Sequence, residues 1–474
     1  MSILLISPPP VRIRFNISGI YPLPPLGLAY IASLLEKNGY GVKILDMPAL
    51  RTQSEDLSNY LKGDNYSVCG LSCNIFNLKN GIRISQIIKR ENPKAKVILG
   101  GHCTVFPPEI IFKYGPDFDV MVKGEGEEAM LNLCGRLNKG GECEVLYDVP
   151  NISFRHNAKI INNSSPPSYA DLDKLPLPAR HLLPNNRYRI HPPFGLYPPV
   201  TLMETSRGCA YNCIFCTLPQ QVRERSIDNV TQEIKEVVGR YKVKEIHFVD
   251  PNFTYNQGRI MQLCTRLIKE RLKFRWTCKT RVDLVSKDLL KAMSGAGCYM
   301  ISYGIESGSQ RVLNTLNKGI SVGQIENCFI LSREAKIRTL AYILLGSPGE
   351  NNYTVRETIR LVGKIKPDFV LYGELLPDPN SILVKQTIGE RRLSYDELAE
   401  YYLFNSKNNI NESITDLPRE RVKRWISGAN KKFYFRPGYF LNRIKSLKNI
   451  NDFLNQIRGV YFLMLDKVRI KEIV

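Results

Sequence analysis

Residues 205 to 216 read TSRGCAYNCIFC, which puts Cys209, Cys213 and Cys216 within eight positions among small, polar and aromatic neighbours. The stretch begins at the end of an apolar run, TLMET. Five similar runs follow: KEIHFV, FRWTC, YMISYG, LAYILLG and DFVLYG. Helix-like segments such as NVTQEIKEVVGRYK and GRIMQLCTRLIKERL separate them. Six strand and helix repeats predict an open or closed parallel barrel, with chemistry at the carboxyl ends of its strands. The three thiols lie at the first of those ends.

Upstream, residues 2 to 137 alternate in the same way: ILLIS, LGLAYIASLLEKNGY, VKILD, SVCGLSC, NGIRISQIIKREN, KVILGG and DVMVKG. This pattern predicts a doubly wound parallel sheet of about five strands, a Rossmann-like α/β domain. Ligands on such sheets sit beyond the carboxyl ends. The ends here read Ser7-Pro8-Pro9, Asp46, Ser72, Gly100-Gly101-His102 and Gly124-Glu125-Gly126-Glu127. Small residues recur there, as close approach of a large flat ligand to the backbone requires. The expected organisation is a first domain over 1–145, a proline- and asparagine-rich bridge over 146–199, a barrel over 200–384 and a basic helical region over 385–474.

The 474 residues suffice for about two or three domains with substantial cores. Apolar runs such as LGLAYIASLL fall short of the ~18 residues that a membrane span needs, and MSILLISPPP lacks a basic region and cleavage site. A cytoplasmic protein is expected. In that compartment, twelve scattered cysteines with one tight trio speak for a metal site rather than a disulfide framework. The net charge of +21 points to an anionic partner. Residues 421–474 carry 13 basic and 3 acidic side chains, interleaved with aromatics in KKFYFRPGYFLNRIKSLKN. That composition suits a solvated helical face or contact with lipid headgroups, and so possible membrane association.

Three thiolates on a short loop can hold three irons of a [4Fe-4S] cluster and leave the fourth open to a ligand. A structural zinc site wants four ligands in two pairs, and no second Cys or His pair lies nearby. Cys69 and Cys73, in CGLSC, sit in an apolar strand and read as buried small side chains, as do Cys278 and Cys298.

The CxxxCxxC loop after the first barrel strand resembles the signature of the radical S-adenosylmethionine enzymes. FVDPNFT, TRVD, YGIESGSQ and LGSPGE follow successive strands in that family's order. PLPPLGLAYIASLLEKNGY, VILGGH and VKGEGEE resemble the cobalamin-binding domain that precedes the barrel in one subgroup. The resemblance implies a [4Fe-4S] cluster on Cys209, Cys213 and Cys216, with S-adenosylmethionine on the open iron. Reductive cleavage would give a 5′-deoxyadenosyl radical that takes hydrogen from an unactivated carbon. It also implies cobalamin, held at Ser72, Gly100, Gly101, Gly124, Glu125 and Gly126, as methyl donor. S-adenosylmethionine would lie against Tyr211, Phe215, Asp250, Glu306, Gly346, Pro348 and Gly349. Glu306 could instead pair with Arg281.

The implied activity is methylation of an unactivated carbon in a small or lipid-like substrate, with flavodoxin or ferredoxin as reductant. The alternatives are radical oxidation or cyclisation, as in tetrapyrrole ring closure, a tRNA methylthiotransferase, and a cluster-bearing sensor. Nucleic acid is disfavoured because the tail reads helical rather than as a small β-rich domain. Two departures stand out. The DxHxxG cobalt-ligand pattern is absent, since MPALRT follows Asp46, so His102 is not assigned to cobalt. The family's PGT appears as PDPNS at 377–381, which alters the substrate pocket more than the radical machinery.

Overall fold

The computed structural model describes residues 1–10, 21–138, 146–163, 169–404 and 410–459. The chain forms two compact units, Met1–Tyr188 with Leu393–Asn408, and Arg189–Arg392 with Asn409–Val474.

In the first unit, β1 (Ser2–Ser7), β2 (Gly41–Asp46), β3 (Val68–Ser72), β4 (Lys96–Gly100) and β5 (Val120–Val122) lie parallel in the order β2-β1-β3-β4-β5. Ile3, Leu4, Leu5 and Ile6 of β1 are at most 1% exposed, as a strand covered on both faces demands. Strand order reverses between β1 and β3, which opens a crevice at their carboxyl ends. Asn77 and Asn80 donate to the Pro8 and Pro9 carbonyls and tie the two exits together.

Two antiparallel strands extend the expected five: β6 (Ile152–His156) on β5 and β7 (Lys159–Asn163) on β6. They fall in the segment that reads as a bridge. Their turn places Asn157 and Ala158 at φ 48° and 61°, the left-handed pair that a two-residue hairpin needs. β7 is only partly covered, so KIINN lacks a strong apolar signature.

The second unit holds the barrel. β8 (Val200–Met203) leads into a two-residue ribbon, β9 (Ser206–Arg207) paired with β10 (Arg223–Glu224). β11 (Glu245–Phe248), β12 (Arg275–Thr280), β13 (Cys298–Glu306), β14 (Arg338–Leu345) and β15 (Phe369–Glu374) follow. The six long strands are parallel in sequence order, and among the described residues β15 does not pair with β8, so the barrel is open. Ser226, Asn256, Ser286, Ser321 and Asn351 cap the intervening helices, each accepting a first-turn amide.

Between sheet and helices, Phe248, Phe253 and Trp276 pack at centroid distances of 4.7 to 5.5 Å. At the amino ends of the strands, Asn449, Asn451 and Asn455 donate to the Leu196 and Phe194 carbonyls, and Arg338 pairs with Asp452 at 2.6 Å. The carboxyl ends are left to the loops. No helix among the described residues is long and apolar enough to cross a membrane.

Trp276 is 1% exposed, and its Nε1 donates to the Ala296 carbonyl at 2.8 Å. Trp276→Ala should destabilise the barrel unit by about 3–5 kcal/mol, seen as an earlier transition in urea followed by circular dichroism. An unchanged midpoint would contradict this packing.

Candidate active site

The cysteine loop is fixed at its base before any ligand arrives. The Asp250 carboxylate, just beyond β11 and fully buried, accepts from the Thr205 amide at 3.1 Å, the Thr205 hydroxyl at 2.7 Å and the Ser206 hydroxyl at 2.6 Å. Burial pushes this carboxyl up, and the Ser206 and Thr205 hydrogen bonds draw it back. Arg259 reaches the Thr205 and Arg225 carbonyls from the next helix. Gly208 has φ 84°, and a Cβ there would lie 1.9 Å from the Gln221 carbonyl oxygen, so the loop can turn only at glycine.

Further bonds hold the loop along its length. The Cys209 amide donates to Pro219, the Ile214 amide to Leu316, and the Ile214 carbonyl accepts from Leu383. The Asn317 side chain donates to the Asn212 carbonyl at 2.8 Å. Asn252 Nδ2 lies 3.2 Å from Cys209 Sγ, a donor to sulfur of the kind that tunes cluster potentials. Ile214 and Phe215 pack against Leu375, Leu383 and Ile414, close to Leu344 at the end of β14.

Cys213 is buried, and Cys209 and Cys216 are partly covered. Burial pushes the Cys213 thiol up, while Lys318 and Arg281 pull it down and Cys216 and Glu306 push it further. Burial likewise raises Cys216, against the Leu218 amide and Lys318. Iron would deprotonate both, and the two nearby cations suit the resulting negative charge. No trio of His, Cys, Asp or Glu among the described residues converges on a single ion. Thiolates on separate corners of a cube need no such convergence.

Arg281 and Glu306 do not pair with each other. Arg281 grips Asp283 through two bonds of 2.9 and 3.0 Å, whereas Glu306 takes Lys318 at 2.7 Å. The sequence could not rank Lys318 as a partner because it lies beyond a helix. Glu306 stands at φ 65° beside a bulge in β13, and a Cβ on Gly304 would come within 2.7 Å of its carboxylate. The Arg281 guanidinium stacks 3.6 Å from the Tyr211 ring.

Three buried polar atoms at the ends of β12 and β14 have no protein partner: Arg281 Nη1, Ser347 Oγ and Glu350 Oε1. Their chemistry, one cation, one hydroxyl and one carboxyl, fits a ligand carrying a carboxylate, hydroxyls and an amine. Gly346 and Gly349 have φ 84° and 73°; Gly349 lies next to Thr315, one residue from the carbonyl that holds Ile214. Lys279 falls on the face of β12 opposite the core-packed Cys278, and its side chain is open to solvent. Partial desolvation on that face lowers its amine, while Asp250 and Cys216 raise it. The sequence reading missed Lys279, Lys318 and Asn252; only Asn252 lay within a motif it quoted.

In the first unit, Ser72 and Gly100 are partly covered, and Gly101 is exposed at φ 89° with its Cα against the Cys73 backbone. Gly124 has φ 74° and nothing within 4 Å of where a Cβ would stand, so its face is open to a large ligand. Glu125 and Gly126 follow it, half-buried. At the end of β2, on the far edge of the sheet beside β1, burial pushes Asp46 up to about 6 against hydrogen bonds from Tyr188 and Ala49. His102 is exposed, and Cys69, Cys73, Cys278 and Cys298 are buried.

Two family models match the chain: the B12 binding domain over residues 17–134 and the Radical SAM superfamily over 203–362. An uncharacterised methyltransferase of Pyrococcus horikoshii is 29% identical over 94% of this chain and 95% of its own length. The anaerobic magnesium-protoporphyrin IX monomethyl ester cyclase of Cereibacter sphaeroides is 27% identical over 88% of this chain and 68% of its own. Among solved structures, the radical S-adenosylmethionine methyltransferase TsrM of Kitasatospora setae, with cobalamin and [4Fe-4S] cluster bound, aligns at TM-score 0.69. That alignment has 18% identity and covers 82% of this chain and 78% of the other, a likeness of fold.

Two expectations follow. Gly208→Ala should abolish or sharply reduce iron-sulfur absorption after anaerobic reconstitution while far-ultraviolet circular dichroism is kept; full iron content would refute the constraint. Glu350, fully buried, is pushed by burial up to about 7, above its ordinary 4.5. A carboxyl raised in the folded state contributes stability below pH 4.5 that is lost as pH climbs through 7. Glu350→Gln stays neutral, so its stability should gain on the parent's from pH 5 to 8 by up to ~3 kcal/mol, read as a melting temperature that rises relative to the parent's over that range. A pH-independent gap would refute this.

Proposed function

We propose that this chain, which belongs to the radical S-adenosylmethionine superfamily and carries a B12-binding domain ahead of its barrel, is a cobalamin-dependent enzyme that methylates an unactivated carbon of a small molecule. One observation carries the reading: three thiols stand on a loop that Asp250 and Gly208 hold rigid at the carboxyl end of β8, with Lys318 and Arg281 beside them. When bound, the four-iron cluster with S-adenosylmethionine supplies hydrogen abstraction from carbon, and cobalamin supplies a methyl group.

The protein's own part is to bind, orient and exclude water. Cys209, Cys213 and Cys216 would hold three irons. Arg281 Nη1, Ser347 and Glu350 offer S-adenosylmethionine the polar contacts that the protein leaves unmade. Tyr211 and Phe215 would wall its rings, Gly346, Pro348 and Gly349 would let the backbone approach the nucleoside, and Glu306 would bring the oxygen that Lys318 does not take. Asp250 acts as a positioning residue, since the cysteine loop consumes its hydrogen bonds. Ser72, Gly100, Gly101, Gly124, Glu125 and Gly126 would receive the corrin. The division of labour we infer places cobalamin on 1–145, a bridge over 146–199, the cluster on 200–384 and a basic helical region on 385–474.

Cyclisation or oxidation is the second reading, favoured by the relative that is a cyclase. Methylation is preferred because the methyltransferase relative matches along nearly its whole length, whereas the cyclase is covered for 68% of its own. The reductant would be flavodoxin or ferredoxin. A lipid-like substrate and contact with an anionic membrane draw support from Ile450, Phe453, Leu454 and Ile457. These are exposed at helical spacing along 450–459, and Lys445 and Lys448 lie just before them.

The test uses full-length, reconstituted, reduced protein with methylcobalamin, S-adenosylmethionine and a cell extract as acceptor. The expected products are 5′-deoxyadenosine together with S-adenosylhomocysteine, both lost in Cys213→Ser. Deoxyadenosine without S-adenosylhomocysteine would move the reading to cyclisation, and neither product would end it.

A further inference from the structure

At the amino ends of β14 and β15, on the side of the barrel away from the cysteine loop, the second unit holds a cavity of about 450 Å³. That size is ordinary for a small-molecule site, where about 300–1,000 Å³ is usual. Its wall is unusually cationic. Arg333, Lys366, Arg436 and Arg443 line it against a single carboxylate, Asp368.

The carboxylate is already committed. Asp368 Oδ1 takes Arg443 Nη2 at 2.5 Å, and Oδ2 accepts the Thr339 amide at 2.9 Å. Arg443 has more to give. The residue is 9% exposed, the cation lies 5.0 Å from the Phe369 ring, and Nη1 is buried with no protein partner. A buried guanidinium nitrogen with an unmade hydrogen bond costs free energy unless a ligand accepts from it. Arg333 spends one N–H on the Ile365 carbonyl and keeps the rest of its fork exposed. Lys366 is exposed at the carboxyl cap of helix Asn352–Ile365.

A backbone contribution adds to the charge. Arg436 caps the nine-residue helix Pro437–Lys445, whose first turn lines the cavity through Gly438 and Tyr439. The Gly438 amide is among the first-turn donors that have no acceptor within a helix, and nothing lies within 4 Å of where its Cβ would stand. Helix amino ends and paired guanidinium forks both favour phosphoryl oxygens.

We propose that this cavity binds a phosphoryl group, with Arg443 Nη1 and the Gly438 amide as donors and Arg333, Lys366 and Arg436 as the surrounding charge. It stands apart from the cysteine loop and holds whether or not the chain is a methyltransferase. The group could belong to a lipid headgroup or to a soluble phosphate ester.

The experiment is calorimetric titration of the full-length, cluster-reconstituted protein with inorganic phosphate at fixed ionic strength in chloride, beside Arg333→Gln/Lys366→Gln. Both substituted residues are exposed, and among the described residues only the Arg333 bond to the Ile365 carbonyl is lost. The variant should therefore fold as the parent does, checked by circular dichroism, and binding is compared at a temperature where both are folded. Saturable binding weakened about tenfold or more in the variant is expected, as loss of charge-assisted contacts implies. No binding by the parent, or equal binding by both, overturns the site. Sedimentation with phosphatidylcholine vesicles containing phosphatidate then names the source. Binding that the variant loses supports the site with a lipid headgroup; phosphate binding without sedimentation supports it with a soluble ester.

Discussion

A carboxylate with no water around it must find donors, and Asp250 finds three of them in two residues, Thr205 and Ser206. Those residues are the second and third after β8 ends at Met203, and only Arg207 separates them from Gly208. The chain that leaves β8 is therefore committed in direction before it reaches Cys209. Thiolates placed on such a short, anchored loop lose little freedom when they take up iron, which is the condition for tight binding by only three ligands. Gly208 completes the constraint from the other side, since the Gln221 carbonyl occupies the space that any side chain would need.

Around this loop the charges are arranged in closed pairs that still leave capacity. Arg281 holds Asp283 and stacks on Tyr211, yet one of its nitrogens is unmade. Lys318 holds Glu306, yet its field reaches Cys213. Removing one member of a buried pair is costly because the other is stranded. Pairing keeps the cations in place, so they are oriented when negative charge arrives with a cluster and a zwitterionic ligand. Glu306 adopts a left-handed φ of 65° beside the β13 bulge, backbone strain of the kind that collects at binding sites.

The strand ends were legible because parallel strands buried on both faces leave unbroken apolar runs. All six barrel strands and five of the seven strands in the first sheet could be read in that way. The hairpin β6–β7 could not: its second strand is half in solvent, and its turn uses Asn157 and Ala158 rather than a glycine. In the site, the cysteines and the glycines announce themselves by residue type. Partner choice does not, since Arg281 lies within reach of two carboxylates and only the fold decides for Asp283. Lys279 and Lys318 were invisible for a related reason, because a lysine in sequence carries no sign of the side chains it will stand beside.

The first unit is also not a simple amino-terminal segment. Helix Tyr395–Phe404, drawn from beyond the barrel strands, packs Tyr402 edge-on to Phe76 and Phe106, and Asp396 takes Lys113 at 2.6 Å. Phe76 follows β3 and Phe106 follows β4, so this helix rests on the loops at the carboxyl ends of the strands, the zone where Ser72 and Gly101 lie. A chain cut after the first sheet would leave those aromatic faces bare and the loops less supported. The ligand-facing end of the doubly wound sheet thus depends on residues that the chain supplies only after the barrel strands are complete.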